Sequence, residues 1–235
     1  MSISYSKQGD IGFIVHDDGK ANAFTADKFK QFNTALDEAE SEGGITIFTG
    51  RVGNFSAGYH LGELMGGPES ALQILRDGAK ACIRMLGFPF PIIGACNGHA
   101  FPMGAFLLMC CDYRVGVEGA YKLGMNEVRI GIAPPQYAVE VARGRLAPAY
   151  LNRTITTGEL FTPGEAVLAG ILDEIVSTDQ LMARAIEKAE EFTAIDLNAH
   201  AQVKLKLRSQ WIQSIQTAMD EELTSAKVNA MFAGL

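Results

Sequence analysis

The sequence is poor in the residues that build metal sites and disulfide frameworks. Its 235 residues include only four cysteines and four histidines. The cysteines are Cys82, Cys96, Cys110 and Cys111, and they show neither a C-x-x-C motif nor a zinc-ligand pattern with histidine. We therefore expect four small buried thiols in a reducing compartment and no bound metal. We interpret the histidines as surface or hydrogen-bonded structural residues: His16, His60, His99 and His200.

The sequence also lacks an excess of positive charge and a long apolar run. Its 20 basic and 27 acidic residues give a formal charge of −7, which offers no general attraction for nucleic acid. No apolar run reaches the roughly 20 residues that span a bilayer, and residues 1–7 lack the basic-then-apolar order of a signal peptide. We expect a cytoplasmic protein that binds neither nucleic acid nor a membrane.

What the sequence does contain is an alternation of strand-like and helix-like segments. Residues 11–15 and 92–96 are short and apolar, as buried strands are, and residues 45–49 and 112–117 are also strand-like. Thr25 can cap a helix that ends at Gly43-Gly44, and Pro68 begins a second helical stripe. Residues 103–111 are apolar on every face and predict a buried helix. The pattern indicates an α/β fold.

Helices dominate the second part of the chain. Thr162-Pro163-Gly164-Glu165 has the composition of a capping box, and a short strand is predicted at 173–176. Residues 179–194 and about 197–230 are rich in Ala, Lys, Glu and Leu, without a Pro/Gly linker before them. We predict a core over residues 1–178 and a helical region over residues 179–235.

Two loops place small residues directly before a predicted helix. These are Phe55-Ser56-Ala57-Gly58-Tyr59-His60-Leu61 and Asn97 to Ala105. A helix N-terminus presents unpaired N–H groups, and small residues let a ligand approach the main chain. Two such ends facing each other would form an oxyanion hole. For either loop alone, glycine could equally serve an ordinary turn.

Glu127 lies in an otherwise apolar segment, residues 122–134, to which we assign strand or turn character. Burial there would raise the pKa of the carboxyl group towards neutrality, as a proton shuttle requires. The alternative is a solvated glutamate that pairs with Arg129.

Together these motifs resemble the crotonase, or enoyl-CoA hydratase/isomerase, superfamily. Phe55-Ser56-Ala57-Gly58 is similar to its first oxyanion-loop motif, and Asn97 to Arg114 is similar to its second. Gly124-Met125-Asn126-Glu127 through Pro134 is similar to its catalytic-acid segment. The resemblance runs from about Ile11 to Val176, and it implies a spiral of repeated strand-strand-helix units with a C-terminal helical trimerisation region.

The resemblance also implies roles for individual residues. It makes the backbone N–H groups of Tyr59 and Met103 the oxyanion donors and Glu127 the second catalytic glutamate. The first glutamate of the hydratases falls at Phe106, which cannot transfer a proton. Pro102-Met103 replaces the usual glycines, so the Met103 side chain must point away from the thioester.

One carboxylate suits a proton shuttle better than the activation of water. The segment also resembles the Δ3,Δ2-enoyl-CoA isomerase branch, which has an apolar residue at the Phe106 position. The dienoyl-CoA isomerases have an aspartate near Pro135, which disfavours that branch. The resemblance therefore implies conversion of 3-enoyl-CoA to 2-enoyl-CoA. Hydration or hydrolysis on the same scaffold, or a non-catalytic acyl-CoA-binding homologue, remain alternatives.

Coenzyme A is then part of the substrate, and no separate cofactor is expected. The residues that the resemblance assigns to the substrate and its coenzyme A moiety are Lys20, Ala21, Ala23, Ala57, Gly58, Leu61 and Phe106. The segment Lys204-Leu205-Lys206-Leu207-Arg208 offers further cations for the phosphates, although a solvated helix face explains these charges equally well. Phe88, Phe90, Phe101 and Phe106 line the acyl pocket or belong to the core. The resemblance implies a homotrimer or a dimer of trimers.

Overall fold

A computed structural model describes residues 1–233 of the chain, and its side chains through residue 230. Its strands are β1 (Ile3–Gln8), β2 (Ile11–His16), β3 (Ile45–Thr49), β4 (Gly53–Ser56), β5 (Ile92–Cys96), β6 (Gly98–Ala100), β7 (Tyr113–Val117), β8 (Leu123–Gly124), β9 (Leu160–Phe161) and β10 (Glu174–Val176). The last two residues of the predicted region 179–235 lie outside this description.

The helices between these strands confirm the predicted α/β class. They are α1 (Ala26–Glu42), α2 (Leu61–Leu64), α3 (Pro68–Gly87), α4 (Pro102–Cys110), α5 (Gln136–Arg143), α6 (Pro148–Thr157), α7 (Pro163–Ala169), α8 (Leu181–Phe192), α9 (Leu197–Glu222) and α10 (Ser225–Ala233). Thr25 caps α1 through its side chain, and Thr162 with Glu165 forms the predicted capping box of α7.

The larger sheet has six strands in the order β1-β2-β3-β5-β7-β10. Its neighbours are parallel except for the antiparallel pair β1 and β2. One face packs against α8, and the other contributes to the main core with α1, α3, α4 and α5. Strands β3 and β5 are buried at every residue, which explains why β5 has no polar side chain and why β3 has only the two threonines Thr46 and Thr49.

A smaller sheet, in the order β4-β6-β8-β9, carries the two glycine-rich loops. The sequence indicated only loop or turn at Phe55-Ser56 and at Gly98-His99, but these residues lie in β4 and β6. The prediction was wrong because strands of two to four residues are too short for a periodic pattern. Their pairing brings two segments together that lie about 40 residues apart in the chain.

The helical region after β10 begins as predicted, but α9 ends earlier than residue 230. Leu223 leaves helical geometry, with φ −85° and ψ 66°, and α10 then starts at Ser225. Leu223 is buried, so the bend lets an apolar side chain reach the core. Helix α9 packs against α3 and α5.

For His16, the prediction of a surface or hydrogen-bonded histidine is wrong. Its side chain is fully buried at the end of β2, with its ring 4.7 Å from the Phe24 ring. Neither ring nitrogen has a hydrogen-bond partner among the described residues. Burial, with a smaller contribution from the nearby Lys28, lowers the pKa of His16 to about 4, so the imidazole is neutral at physiological pH.

All four cysteines are buried free thiols, as predicted. Within the described residues, no helix combines the length and the hydrophobicity needed to cross a membrane. No group of three or more His, Cys, Asp or Glu residues there is arranged to hold a metal ion.

Candidate active site

The first loop leaves the N–H group of Tyr59 without an acceptor. Phe24 N–H donates to the Gly58 carbonyl at 2.7 Å, and His60 N–H donates to the Phe24 carbonyl at 2.8 Å. Tyr59 pairs with Phe24 in an isolated parallel bridge, so its own N–H points to the other side of the loop. That N–H has no acceptor within residues 1–233. It is therefore available to a ligand.

The second loop presents the N–H group of Met103 in the same way. Pro102 is the first residue of α4, and Ala105 donates the first hydrogen bond of the helix, to Phe101. Met103 N–H, in the first turn, has no acceptor in the described part of the chain. The positive end of the helix dipole adds to its attraction for an oxyanion.

The Met103 side chain turns towards α3. It is fully buried, and its Sδ lies 3.0 Å from the position that a Cβ at Gly78 would take. The side chain that replaces the usual glycine therefore occupies the core, and the amide of Met103 has no acceptor among the described residues. That this side chain points away from a bound thioester stays a prediction.

The smaller sheet brings the two donor loops side by side. Strands β4 and β6 are parallel neighbours, and Phe101 N–H donates to the Ser56 carbonyl at 2.9 Å. A Cβ at Gly58 would lie only 3.4 Å from Met103 N. Gly58 also has φ +91°, a conformation that favours glycine. The structure thus brings the two loops that carry the predicted donors into contact, as an oxyanion hole requires.

Glu127 begins a short 3₁₀-helix, Glu127–Ile130, rather than the strand or turn that the sequence indicated. Gly131, in left-handed geometry, ends this helix. Glu127 is only 8% exposed, and burial raises the pKa of its carboxyl group to about 7. Arg129 donates to the Thr157 carbonyl at 3.2 Å, so the alternative of a solvated Glu127–Arg129 pair is wrong.

Two tyrosines share the interior with Glu127. The Tyr59 hydroxyl is hydrogen-bonded to the hydroxyl of Tyr137, which is fully buried on α5. Burial raises the pKa of both hydroxyls well above the usual value, and the nearby charge of Glu127 raises it further.

No feature of the sequence pattern singles out Tyr137. It lies in an ordinary amphipathic pattern after Pro134-Pro135, and its hydrogen-bond partner is 78 residues away in the chain. Only the packing of α5 against α4 reveals its place beside the site.

Phe106 is fully buried, and its ring packs edge-on against Tyr137 with the ring centroids 6.2 Å apart. The position that the resemblance assigns to the hydratases' first glutamate therefore carries a buried hydrocarbon side chain. The other phenylalanines considered for an acyl pocket are not gathered here. Phe88 packs against Phe90, whose carbonyl accepts from Lys204 on α9, and Phe101 stacks on His99. For these three, the structure favours packing roles.

The residues assigned to coenzyme A surround the first donor loop. Ala57 N–H donates to the Ala21 carbonyl at 2.9 Å, which fixes the loop after β2 against the loop after β4. Lys20, Ala21 and Leu61 are exposed, and Ala23 and Ala57 are half-buried. The Ala23 carbonyl accepts from the Lys28 side chain at 2.7 Å. The N–H group of Ala23 has no acceptor among the described residues, so a ligand can bind it.

The predicted phosphate-binding role of the cations of α9 is wrong for two of them. Lys204 and Arg208 are buried and form ion pairs with Asp112, with N–O distances of 2.7 and 2.9 Å. These two residues can neither bind a phosphate in this arrangement nor form the solvated face that was the alternative. Their role is to attach α9 to the core. Lys206 is exposed.

Comparisons with known proteins can now be set beside this geometry. A family model described as enoyl-CoA hydratase/isomerase matches residues 7–229. Mouse mitochondrial enoyl-CoA delta isomerase 1 is 27% identical over 192 residues, which are 80% of this chain and 66% of that protein. The chain therefore spans slightly less than two thirds of that relative.

Two further proteins show the range of the similarity. Carnitinyl-CoA dehydratase of Salmonella typhi is 30% identical over 197 residues, which are 81% of this chain and 74% of that protein. The crystal structure of an enoyl-CoA hydratase/isomerase family protein from Pseudomonas syringae matches with a TM-score of 0.93 and 38% identity. The match covers 94% of this chain and 96% of that one.

Proposed function

The chain belongs to the enoyl-CoA hydratase/isomerase family, and we propose that it converts 3-enoyl-CoA to 2-enoyl-CoA by moving one proton. Its fold is the expected crotonase-type α/β fold with a helical C-terminal region. The observation that carries the proposal is Glu127, a buried carboxyl group with a pKa of about 7. The resemblance assigns the first glutamate of the hydratases to Phe106, which cannot transfer a proton.

The proposed reaction uses the three groups in sequence. The Glu127 carboxylate removes a proton from C2 of the substrate, and the thioester becomes an enolate. The N–H groups of Tyr59 and Met103 donate to the enolate oxygen, and each such donor is typically worth about a hundredfold to a thousandfold in rate. Glu127 then returns the proton to C4. A pKa near 7 suits a group that must accept and release a proton at neutral pH.

Glu127→Gln tests this assignment. Glutamine keeps the size of the side chain but cannot carry a proton, so we expect kcat to fall by about a hundredfold to ten-thousandfold. The assay follows the absorbance of the conjugated 2-enoyl thioester formed from 3-enoyl-CoA of several chain lengths. The control is Glu190→Gln, an exposed carboxylate on α8, which should leave the rate unchanged. Full activity in Glu127→Gln would refute the proposal.

The similarity to a dehydratase favours one alternative, which is hydration or hydrolysis with a second acid from elsewhere in the protein. Both reactions add the oxygen of water to the product, whereas the double-bond shift adds none. Incubation in oxygen-18 water therefore separates them. Binding of CoA esters in calorimetry, with no turnover of any chain length, would instead indicate a non-catalytic homologue.

We also propose the substrate surface and the assembly that the resemblance implied. The exposed Lys20 and the main chain around Ala21, Ala23 and Ala57 lie next to the Tyr59 donor, where the coenzyme A part would enter. A homotrimer, alone or doubled, is supported by apolar side chains exposed on α9, namely Val203, Leu205 and Leu207.

A further inference from the structure

Ser56 lies at the point where the two donor loops meet. It is the last residue of β4, and its side chain is fully buried. Its hydroxyl donates to the Asn22 carbonyl at 2.7 Å and accepts from Gly58 N–H at 3.1 Å. The hydroxyl thus uses both its donor and an acceptor position inside the first loop.

The other atoms of Ser56 contact the second loop. Its carbonyl accepts from Phe101 N–H at 2.9 Å, one residue before α4 begins. A Cβ at Gly104 would lie 2.8 Å from Ser56 Cβ, so the first turn of α4 packs directly on this serine. One residue therefore contacts the segments that carry both donors.

The acceptor of the Ser56 hydroxyl is itself held rigidly. Asn22 is fully buried and has φ +54°, an uncommon conformation for a residue with a side chain. Its side-chain amide donates to the Asn54 carbonyl at 3.0 Å and to the His16 carbonyl, and its side-chain oxygen accepts from Asp18 N–H at 3.0 Å. The Asn22 carbonyl therefore holds the Ser56 hydroxyl in one position.

The peptide that carries the Tyr59 N–H follows Gly58, the most conformationally free residue type. Phe24 N–H holds the carbonyl side of Gly58, and the Ser56 hydroxyl holds its N–H side. The Phe24 contact acts on the same planar peptide as the Tyr59 N–H, and the Ser56 contact restrains the peptide on the other side of Gly58. Without the Ser56 contact, Gly58 would be restrained from one side only, and the direction of the Tyr59 N–H would be less narrowly set. A donor must point at the developing charge to stabilise it.

We propose that Ser56 is a positioning residue whose hydroxyl sets the direction of the Tyr59 N–H and its geometry relative to Met103. The proposal rests on the oxyanion hole of the proposed function, but not on which reaction follows enolate formation. It concerns the enolate alone, so it can be tested without isomerase activity.

The test measures the enolate directly with acetoacetyl-CoA, a β-keto thioester whose enolate absorbs ultraviolet light distinctly from its keto form. We expect Ser56→Ala to lower the enolate-to-keto ratio of the bound ligand about tenfold, part of the loss typical of removing a whole donor. Affinity for coenzyme A without an acyl group should stay within about twofold, because that ligand has no carbonyl in the hole. In turnover, kcat should fall while KM changes little.

The matched control is Thr49→Val. Thr49 is also buried, and its hydroxyl donates to the Ala95 carbonyl at 2.8 Å in the larger sheet. This variant loses a buried hydrogen bond of the same kind and should keep the wild-type enolate ratio. An equal fall in Ser56→Ala and Thr49→Val would mean that the effect is general destabilisation, and it would overturn the proposal.

A second variant covers the case in which Ser56→Ala does not fold. Ser56→Cys keeps a similar size, and its thiol is a weak acceptor, so the enolate ratio should lie clearly below wild type. A wild-type ratio in a folded Ser56→Ala or Ser56→Cys variant would overturn the proposal, as would a wild-type protein that forms no enolate. Enolate formation by wild type without any double-bond shift would refute the proposed isomerase activity. The enolate ratios of the Ser56 variants would still decide whether Ser56 positions the donor.

Discussion

In the proposed reaction, Glu127 must carry a negative charge in surroundings that disfavour it. The carboxyl is 8% exposed, and no described cation pairs with it. Burial disfavours the charged form, so the pKa rises from 4.5 to about 7. A base with this pKa is far stronger than an ordinary glutamate and is still largely ionised at slightly alkaline pH.

The pH dependence of the rate follows from that pKa. The reaction begins with the ionised carboxylate, so kcat/KM should rise about tenfold per pH unit below pH 7 and level off above it. A glutamate with its ordinary pKa of 4.5 would give a flat profile over the same range. Steady-state kinetics between pH 5 and 9, on one 3-enoyl-CoA substrate, make the measurement.

A control keeps this profile specific to Glu127. His16 also titrates away from its usual value, but burial lowers its pKa to about 4, below the range of the assay. The variant His16→Gln should therefore show the same rise around pH 7. A profile that is flat from pH 5 to 8 in the wild type would contradict the assignment of Glu127 as the base.

At the scale of the elements, α9 is joined to the core by a buried ion cluster. Asp112, two residues after the end of α4, accepts a hydrogen bond from Lys204 at 2.7 Å and forms an ion pair with Arg208 at 2.9 Å. It also accepts from Ile92 N–H at 2.7 Å. The two cations are 4% and 8% exposed, so water cannot replace Asp112 as their partner.

Asp112→Asn should destabilise the protein by about 3–5 kcal/mol, because it leaves two buried positive charges without a carboxylate. Asp220→Asn removes an exposed pair with Arg76 and should cost less than about 1 kcal/mol. The free energies of unfolding from urea titrations give the comparison. Equal losses in the two variants would show that the buried cluster does not hold α9.

The elements also show which parts of the fold a sequence reveals. The limits of α1 were predictable because Thr25 and Gly43 act locally, within one turn of the helix. The smaller sheet was not, because β8 and β9 have two residues each and exist only through pairing with distant strands. The roles of Lys204 and Arg208 were misread for the same reason, since Asp112 is about 90 residues away.

The site divides in the same way. The sequence identifies Glu127 and the two donor loops, because an isolated charge and clustered small residues are visible along the chain. The Tyr59–Tyr137 pair and the contacts of Ser56 depend on residues that meet only after folding. Sequence patterns and family resemblance are therefore enough to select Glu127 and the two loops, whereas the Tyr59–Tyr137 pair and the contacts of Ser56 are visible only in the structure.

At the scale of the whole molecule, α9 has two faces with different partners. Lys204, Arg208 and Ile215 are buried against the rest of the chain. Val203, Leu205 and Leu207 are 60%, 49% and 79% exposed. Apolar residues scattered singly on a surface are common, but Val203 and Leu207 lie one turn apart on the same side of the helix and form a patch that favours association. Leu205 lies on another side of the helix, towards Gly87 of α3.

We predict that this patch contributes to a homotrimer or a dimer of trimers, and that Leu207→Glu weakens the assembly. A charge placed in an apolar interface loses its water without gaining a partner, so association becomes less favourable. Light scattering after size-exclusion chromatography should show the wild type at three or six times the monomer mass and the variant shifted towards the monomer. Circular dichroism checks that Leu207→Glu remains folded.

Leu168→Glu is the matched control, because Leu168 is 65% exposed on α7, away from α9 in the chain. It introduces the same charge at a similar exposure and should leave the mass unchanged. If Leu207→Glu also kept the wild-type mass, the assembly would not depend on this patch. A monomeric wild type would refute the oligomer itself, and the exposed leucines would then need another explanation.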